Sequence, residues 1–292
     1  MSAPLPVTAG LLRDWPLPVT GDDKESSGRT LVIGGSEQTP GAVLLAAEAA
    51  LRTGAGKLQV ATVRSTAAAM AVAMPETLVR PLRQTVGGDI DPSCADELVE
   101  MAQQCSAVLI GPGLMDVEVA RELVGALLPK LDTLVVLDAL ALAYLGQQPD
   151  GAHHLGGRVV LTPNRHELAL TLGRDDDEVD DDPAAATAEL AARCRAVVSC
   201  GGSRSHVADP EGNSWVDETG GAGLGVAGSG DVMAGILTGL AARGAEPAQA
   251  AVWAAHVHGR AGDRLAASVG RLGYLAREVP TEIPRVLEEL AG

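Results

Sequence analysis

The stretch GVAGSGDVMAGILTGLAARG, from Gly225 to Gly244, sets Gly228, Ser229 and Gly230 directly ahead of one carboxylate, Asp231. An apolar, small-residue helix pattern follows at once. Successive backbone N–H groups at a helix start form an anion site, and the helix dipole favours negative charge there. An aspartate in the first turn can take the proton of a hydroxyl that attacks a phosphorus held on those amides. Aspartate is equally a preferred helix cap, worth roughly 1 kcal/mol. The local sequence leaves cap and base equally open, and the two roles are not fully exclusive.

The rest of the chain must position that turn. Residues 1–28 are Pro-rich and polar, and read as a lead-in arm before a domain over 29–292. Short apolar runs then alternate with helical patterns. Strands are expected at 30–35, 57–63, 106–113, 133–139, 158–164 and 195–202, with a hairpin around Glu211-Gly212 and mainly helix from Asp231 onward. Fully apolar strands between helices indicate a buried parallel sheet. Five of them end alike, in VIGGS, LIGPG, VLDA, LTPNRHE and SCGGS. In an open α/β sheet these ends share one edge, where ligands bind. Glycine there lets a ligand approach the backbone. One such turn needs no ligand to explain it, whereas five turns on one edge predict a ligand cleft. The acidic run GRDDDEVDDDP, residues 173–183, reads as a solvated loop leading into a helix, not as a metal site.

Other classes are disfavoured. With 22 Lys and Arg against 38 Asp and Glu, the net charge of −16 gives no basic footprint for nucleic acid or an anionic membrane. Cys94, Cys105, Cys194 and Cys200 have no metal spacing and read as reduced thiols of a cytoplasmic protein. The N-terminus has no signal-peptide pattern. The P-loop pattern is absent, and GLGVAG over 223–228 lacks the downstream acidic residue of a dinucleotide fold. His256 and His258, two apart on a helix, face different ways and make a poor metal pair; His258 reads as a structural side chain under the site. Asp138 ends a strand on the ligand edge, where a turn-forming role outweighs a part in placing Mg²⁺ or water.

G-S-G-D entering a Gly/Ala-rich helix resembles the anion hole and catalytic aspartate of ribokinase-like kinases. From about Lys24 to Ala291 the chain more closely resembles the ADP-dependent (S)-NAD(P)H-hydrate dehydratases. The segments VIGGSEQTPGAVLLAAEAALRTGAGK, MPETLV, LIGPGL, VVLDALAL, LTPNRHELALTLG, GLGVAGSGDVMAGILTGLAARG and AAHVHGRAGD stand in that family's order. The resemblance implies a ribokinase-like three-layer α/β/α fold with a central, mostly parallel sheet. It implies ADP as co-substrate, Mg²⁺ assisting phosphoryl transfer, and a ring hydroxyl that attacks the terminal phosphate before phosphate is eliminated. Carried over by position, Asp231 is the catalytic aspartate and also contacts the substrate. Gly228, Ser229 and Gly230 complete the anion hole, and Gly201, Gly202, Ser203 and Arg204 form the nucleotide turn. Ala42, Gly113 and Asn164 fall at hydrate-binding positions. No residue is assigned as a protein metal ligand.

Three positions depart from the family pattern. Cys200 stands where L-K-G has its lysine, Asn164 where T-P-H-P-G-E has its histidine, and Gly220-Gly221 where a G-N pair precedes the anion hole. Arg165 and Arg204 are the cations at hand to offset the missing lysine. The resemblance also implies a separate epimerase acting upstream, since the extra N-terminal domain of some relatives is not seen, and a homo-oligomer such as a tetramer. A ribokinase-like small-molecule kinase and a non-catalytic nucleotide-binding protein are the rival readings.

Overall fold

The computed structural model describes residues 3–19, 21 and 23–291. Its centre is a ten-stranded sheet. The strands are β1 (Leu5–Pro6), β2 (Arg29–Ile33), β3 (Lys57–Val63), β4 (Leu78–Leu82), β5 (Ala107–Ile110), β6 (Leu134–Leu137), β7 (Val159–Leu161), β8 (Val197–Cys200), β9 (Ser205–Ala208) and β10 (Ser214–Asp217). Their spatial order is β1-β10-β9-β8-β7-β6-β5-β2-β3-β4. The seven from β8 to β4 pair in parallel, and β9 and β10 add an antiparallel hairpin. Order therefore reverses between β2 and β5, because the chain builds outward to β4 and then returns to the other side of β2.

Among the described residues twelve α-helices accompany the strands. They are α1 (Ala9–Asp14), α2 (Pro40–Arg52), α3 (Arg64–Ala73), α4 (Ala95–Ala102), α5 (Val117–Leu127), α6 (Ala143–Gln147), α7 (Arg165–Leu172), α8 (Asp176–Asp181), α9 (Pro183–Cys194), α10 (Ser229–Ala242), α11 (Pro247–Ser268) and α12 (Val279–Ala291). Successive side chains of a strand point to opposite faces, so every central strand feeds two cores. Leu31, Ile33, Val108 and Ile110 face α4, α5, α7 and α9. Val32, Ala107 and Leu109 face α2, α10, α11 and α12. The result is the buried, mostly parallel sheet that the apolar strands predict, set in the three-layer α/β/α arrangement that the resemblance implies.

With no Phe in the chain, small residues set the layer spacing. A Cβ on Gly235 of α10 would lie 2.2 Å from the carbonyl oxygen of Ala46 on α2, and one on Gly239 would lie 2.0 Å from Thr53 Oγ1. The two helices thus pack backbone to backbone, which fixes α10 and the turn at its start.

Two regions differ from the sequence expectation. The acidic run is not simply a loop: Asp176–Asp181 forms α8, with buried Val179 as its anchor. Asp176, Asp177 and Glu178 occupy its first turn, where the helix dipole favours negative charge. The lead-in arm packs onto the body, with Leu12 fully buried and Trp15 stacked on Trp215 at a centroid distance of 5.8 Å. β1 pairs in parallel with β10 at the end of the sheet. Among the described residues no helix is long and apolar enough to cross a membrane.

Candidate active site

The C-terminal ends of β6, β7 and β8 and the start of α10 enclose a cavity of about 770 Å³. Asp231 lines it, together with Gly228, Ser229 and Gly230. Helix α10 begins at Ser229, so Asp231 is its third residue, and Gly228 is the N-cap with a left-handed φ of 91°. The capping position that Asp231 was equally expected to fill therefore belongs to a glycine. Its carboxylate is left to face the cavity. A Cβ on Gly228 would lie 2.5 Å from Leu45 Cδ1, whereas one on Gly230 would meet nothing within 4 Å. Gly228 is thus needed for the backbone turn, and Gly230 keeps the cavity mouth clear.

The electrostatics of the cavity are one-sided. Asp138, Glu167 and Asp231 all line it, and among the described lining residues there is no Lys or Arg. Burial, helped by the charge of Glu167, pushes the Asp231 carboxyl up to about 6. Burial and the charge of Asp231 push Asp138 up to about 8, although Thr162 Oγ1 donates to Asp138 Oδ1 at 2.7 Å. Burial also raises Glu167. Asp138, expected as a turn former, is in fact a buried wall of the site. No group of three His, Cys, Asp or Glu among the described residues could hold a metal ion unaided.

The anion turn is braced from behind. Ser229 Oγ lies 3.0 Å from His258 Nε2 on α11, and His258, expected as a structural side chain under the site, itself lines the cavity. One helical step away, His256 Nδ1 lies 2.6 Å from Asp217 Oδ2. Asp217 Oδ1 accepts from the backbone N–H of Thr219 at 2.9 Å and from its hydroxyl. That network sets the Thr219–Gly221 segment along the cavity wall. No local pattern announced it, because Asp217 and His256 are 39 residues apart.

The other expected residues divide between two places. Gly201, Gly202 and Ser203 line the cavity, whereas Arg204 does not; it pairs with Glu218 at 3.0 Å, both side chains well exposed. Asn164 lines the cavity and caps α7. Its Oδ1 accepts from the Glu167 N–H, and its own N–H donates to Glu167 Oε2, both at 2.9 Å. This capping box was legible as N-x-x-E and would have placed Glu167 at the site. Ala42 and Gly113 are not among the residues lining this cavity; they meet each other where the sheet order reverses. A Cβ on Gly113 would lie 3.1 Å from Ala42 Cβ, Gly35 N–H donates to the Pro112 carbonyl at 2.7 Å, and Thr39 Oγ1 donates to that of Gly113 at 2.7 Å. Gly111 packs onto the backbone carbonyl of Asp138 and links the two places. In open α/β sheets such a reversal is where ligands bind.

Residues 30–285 match the sequence model of a family described as NAD(P)H-hydrate dehydratase. An ADP-dependent (S)-NAD(P)H-hydrate dehydratase of Xanthomonas campestris pv. campestris is 44% identical over 285 residues, covering 97% of this chain and 96% of the relative. An ADP-dependent (S)-NAD(P)H-hydrate dehydratase of Bacillus subtilis is 30% identical over 266 residues, covering 90% of each. The crystal structure of the ADP/ATP-dependent NAD(P)H-hydrate dehydratase of Bacillus subtilis, co-crystallised with ATP and Mg²⁺, superposes with a TM-score of 0.81 at 26% identity, over 99% of each chain. A ribokinase-like superfamily protein of Enterococcus faecalis, 21% identical with a TM-score of 0.83 over 98% of this chain and 96% of its own, shares the fold.

Proposed function

The chain belongs to the NAD(P)H-hydrate dehydratase family, and on that premise we propose how its own residues carry the reaction. It is an ADP-dependent NAD(P)H-hydrate dehydratase, an enzyme that returns hydrated NAD(P)H to NAD(P)H. The observation that carries the residue assignment is the placement of Asp231. It stands half-buried in the first turn of α10, directly after the Gly228–Gly230 amides and in the same cavity.

In this reading the terminal phosphate of ADP rests on the amides of Gly228, Ser229 and Gly230. The outer part of the nucleotide lies along Gly201–Ser203. The hydrate enters from the Ala42–Gly113 side, and Asn164 borders it at the lip. Asp231 accepts the proton of the ring hydroxyl as its oxygen bonds to the terminal phosphorus and the bond to AMP breaks. A carboxyl raised to about 6 is still mostly ionised at neutral pH and is a better base than a free aspartate. Phosphate then departs with the C–O electron pair, expelled as the ring nitrogen lone pair pushes into the ring. Loss of a ring proton restores the double bond. Hydroxide leaves poorly and phosphate leaves well, which is why the dehydration is coupled to ADP.

The donor set fits Mg²⁺ brought in on the nucleotide. Mg²⁺ keeps several waters and takes one or two carboxylates beside phosphate oxygens, and the wall offers carboxylates, no cation and no complete metal cage. Asp138 and Glu167 would hold it, and it would neutralise phosphate charge during transfer. A separate epimerase belongs upstream, because spontaneous hydration of the ring yields two epimers and the S form is the one consumed.

Incubation with chemically hydrated NADH and ADP tests the function. Recovery of dihydronicotinamide absorbance with release of AMP and phosphate is expected. Absence of recovery, with phosphorylation of a small alcohol instead, would show a kinase on the same scaffold.

A further inference from the structure

The cavity that would take an anionic nucleotide is lined by three carboxyl groups, Asp138, Glu167 and Asp231, and among the described residues by no Lys or Arg. A positive charge close behind the wall therefore carries unusual weight. Cys200 cannot supply one: its thiol is buried and pushed up to about 12, chiefly by burial. Arg204 turns away to Glu218. Arg165 is placed differently. It is the first residue of α7, and its guanidinium lies against the turn that follows β8. Nη2 donates to Ser203 Oγ at 3.3 Å, and Nη1 pairs with Asp180 Oδ1 on α8 at 2.9 Å. A Cβ on Gly202 would lie 2.7 Å from Arg165 Nε, so the guanidinium lies close against the backbone of that glycine. The same turn is tied on its other side, where Gly201 N–H donates to the Pro163 carbonyl at 3.0 Å.

We propose that Arg165 is the positioning residue of the nucleotide turn, tying Gly202 and Ser203 to the acidic helix α8 and lending the adjoining wall its missing positive charge. Asp180 holds the guanidinium in place while leaving it partly exposed, at 31%. The planar fork of arginine suits two partners at once, which a lysine cannot match. The acidic stretch thereby gains a role, since α8 supplies the anchor for the cation.

The inference rests on the nucleotide lying along Gly201–Ser203. It is tested by titrating ADP calorimetrically into the wild-type protein and into Arg165→Ala, Arg165→Lys and Asp180→Asn, with steady-state kinetics on the same proteins. Arg165→Ala is expected to raise both the Kd and the KM for ADP about tenfold, the weight of one charge-assisted hydrogen bond. Its kcat and its KM for the hydrate should stay near wild type. Arg165→Lys should recover part of the loss, and Asp180→Asn should weaken ADP about threefold, as a partly exposed ion pair allows. Unchanged ADP affinity in folded Arg165→Ala, or an equal loss in kcat and both KM values, would overturn the proposal. If Arg165→Ala does not fold, Arg165→Lys and Asp180→Asn decide it: wild-type ADP affinity in both would overturn it. A wild-type protein that binds ADP through Arg165 but dehydrates nothing would sustain the clamp and sink the dehydratase reading.

Discussion

Ser229 Oγ and His258 Nε2 lie 3.0 Å apart, joining the first turn of the helix that carries Asp231 to the middle of α11. Burial pushes His258 down to about 4, against opposing pulls from Ser229 and Asp217. The ring is therefore neutral at pH 7, and one of the two atoms donates while the other accepts. His258→Ala should release the Ser229 hydroxyl and lower kcat/KM for ADP about tenfold, the weight of one orienting hydrogen bond. Because the folded pKa is below the free value, the unfolded chain binds the proton first. Stability from this group is full above the unfolded pKa and is lost as pH falls from about 6.5 toward 4, by at most about 3 kcal/mol. Urea melts of wild type and His258→Gln across that range should show the slope in the first protein and a smaller one in the second.

Asp231→Asn should remove turnover by about 10²–10⁴, the usual worth of a positioned base. It should not unfold the protein, since Gly228 and not Asp231 is the cap. The folded pKa is raised to about 6, so the folded state binds more protons than the unfolded chain between roughly pH 4 and 6. Stability from Asp231 therefore falls as pH rises through that window, and its charge opposes folding at pH 7. Thermal melts at pH 7 should show Asp231→Asn at or above the wild-type midpoint, and a midpoint several degrees lower would contradict this. The activity of the wild type should rise with pH through about 6.

Two glycines of α10 should behave in opposite ways. Gly235→Ala puts a methyl against the Ala46 carbonyl and should destabilise by about 1–3 kcal/mol or more through overpacking. Gly230→Ala meets open space and should leave stability within about 1 kcal/mol, the range of Gly-to-Ala exchanges at a compatible backbone. Its methyl would occupy the anion site, so ADP binding should weaken while the melting temperature holds. The reverse pattern would misplace the phosphate.

The four cysteines are free and buried. Burial raises Cys105 and Cys194 to about 11 and Cys200 to about 12. Iodoacetamide at pH 8 should therefore leave the native protein unlabelled and modify all four thiols in urea. Labelling of Cys200 in the native state would contradict its burial.

Several parts of this molecule were present in the order of its residues. The parallel strands and their shared edge followed from apolar runs ending in glycine, aspartate or asparagine, because a buried strand and a tight turn each demand those residue types locally. The glycine-rich turn and Asp231 at a helix start were legible for the same reason, although the choice of capping residue was not. That choice depended on Gly228 taking a left-handed φ under Leu45 of α2, a contact across more than 180 residues. Tertiary structure alone buried Asp138 on the ligand edge, joined Asp217 to His256, and turned Arg204 outward while bringing Arg165 against Gly202. Ionic and hydrogen-bonding partners distant in sequence leave no periodic trace. They are chosen only when the packing of α2 on α10 and of α7 on α8 brings them within a few ångströms.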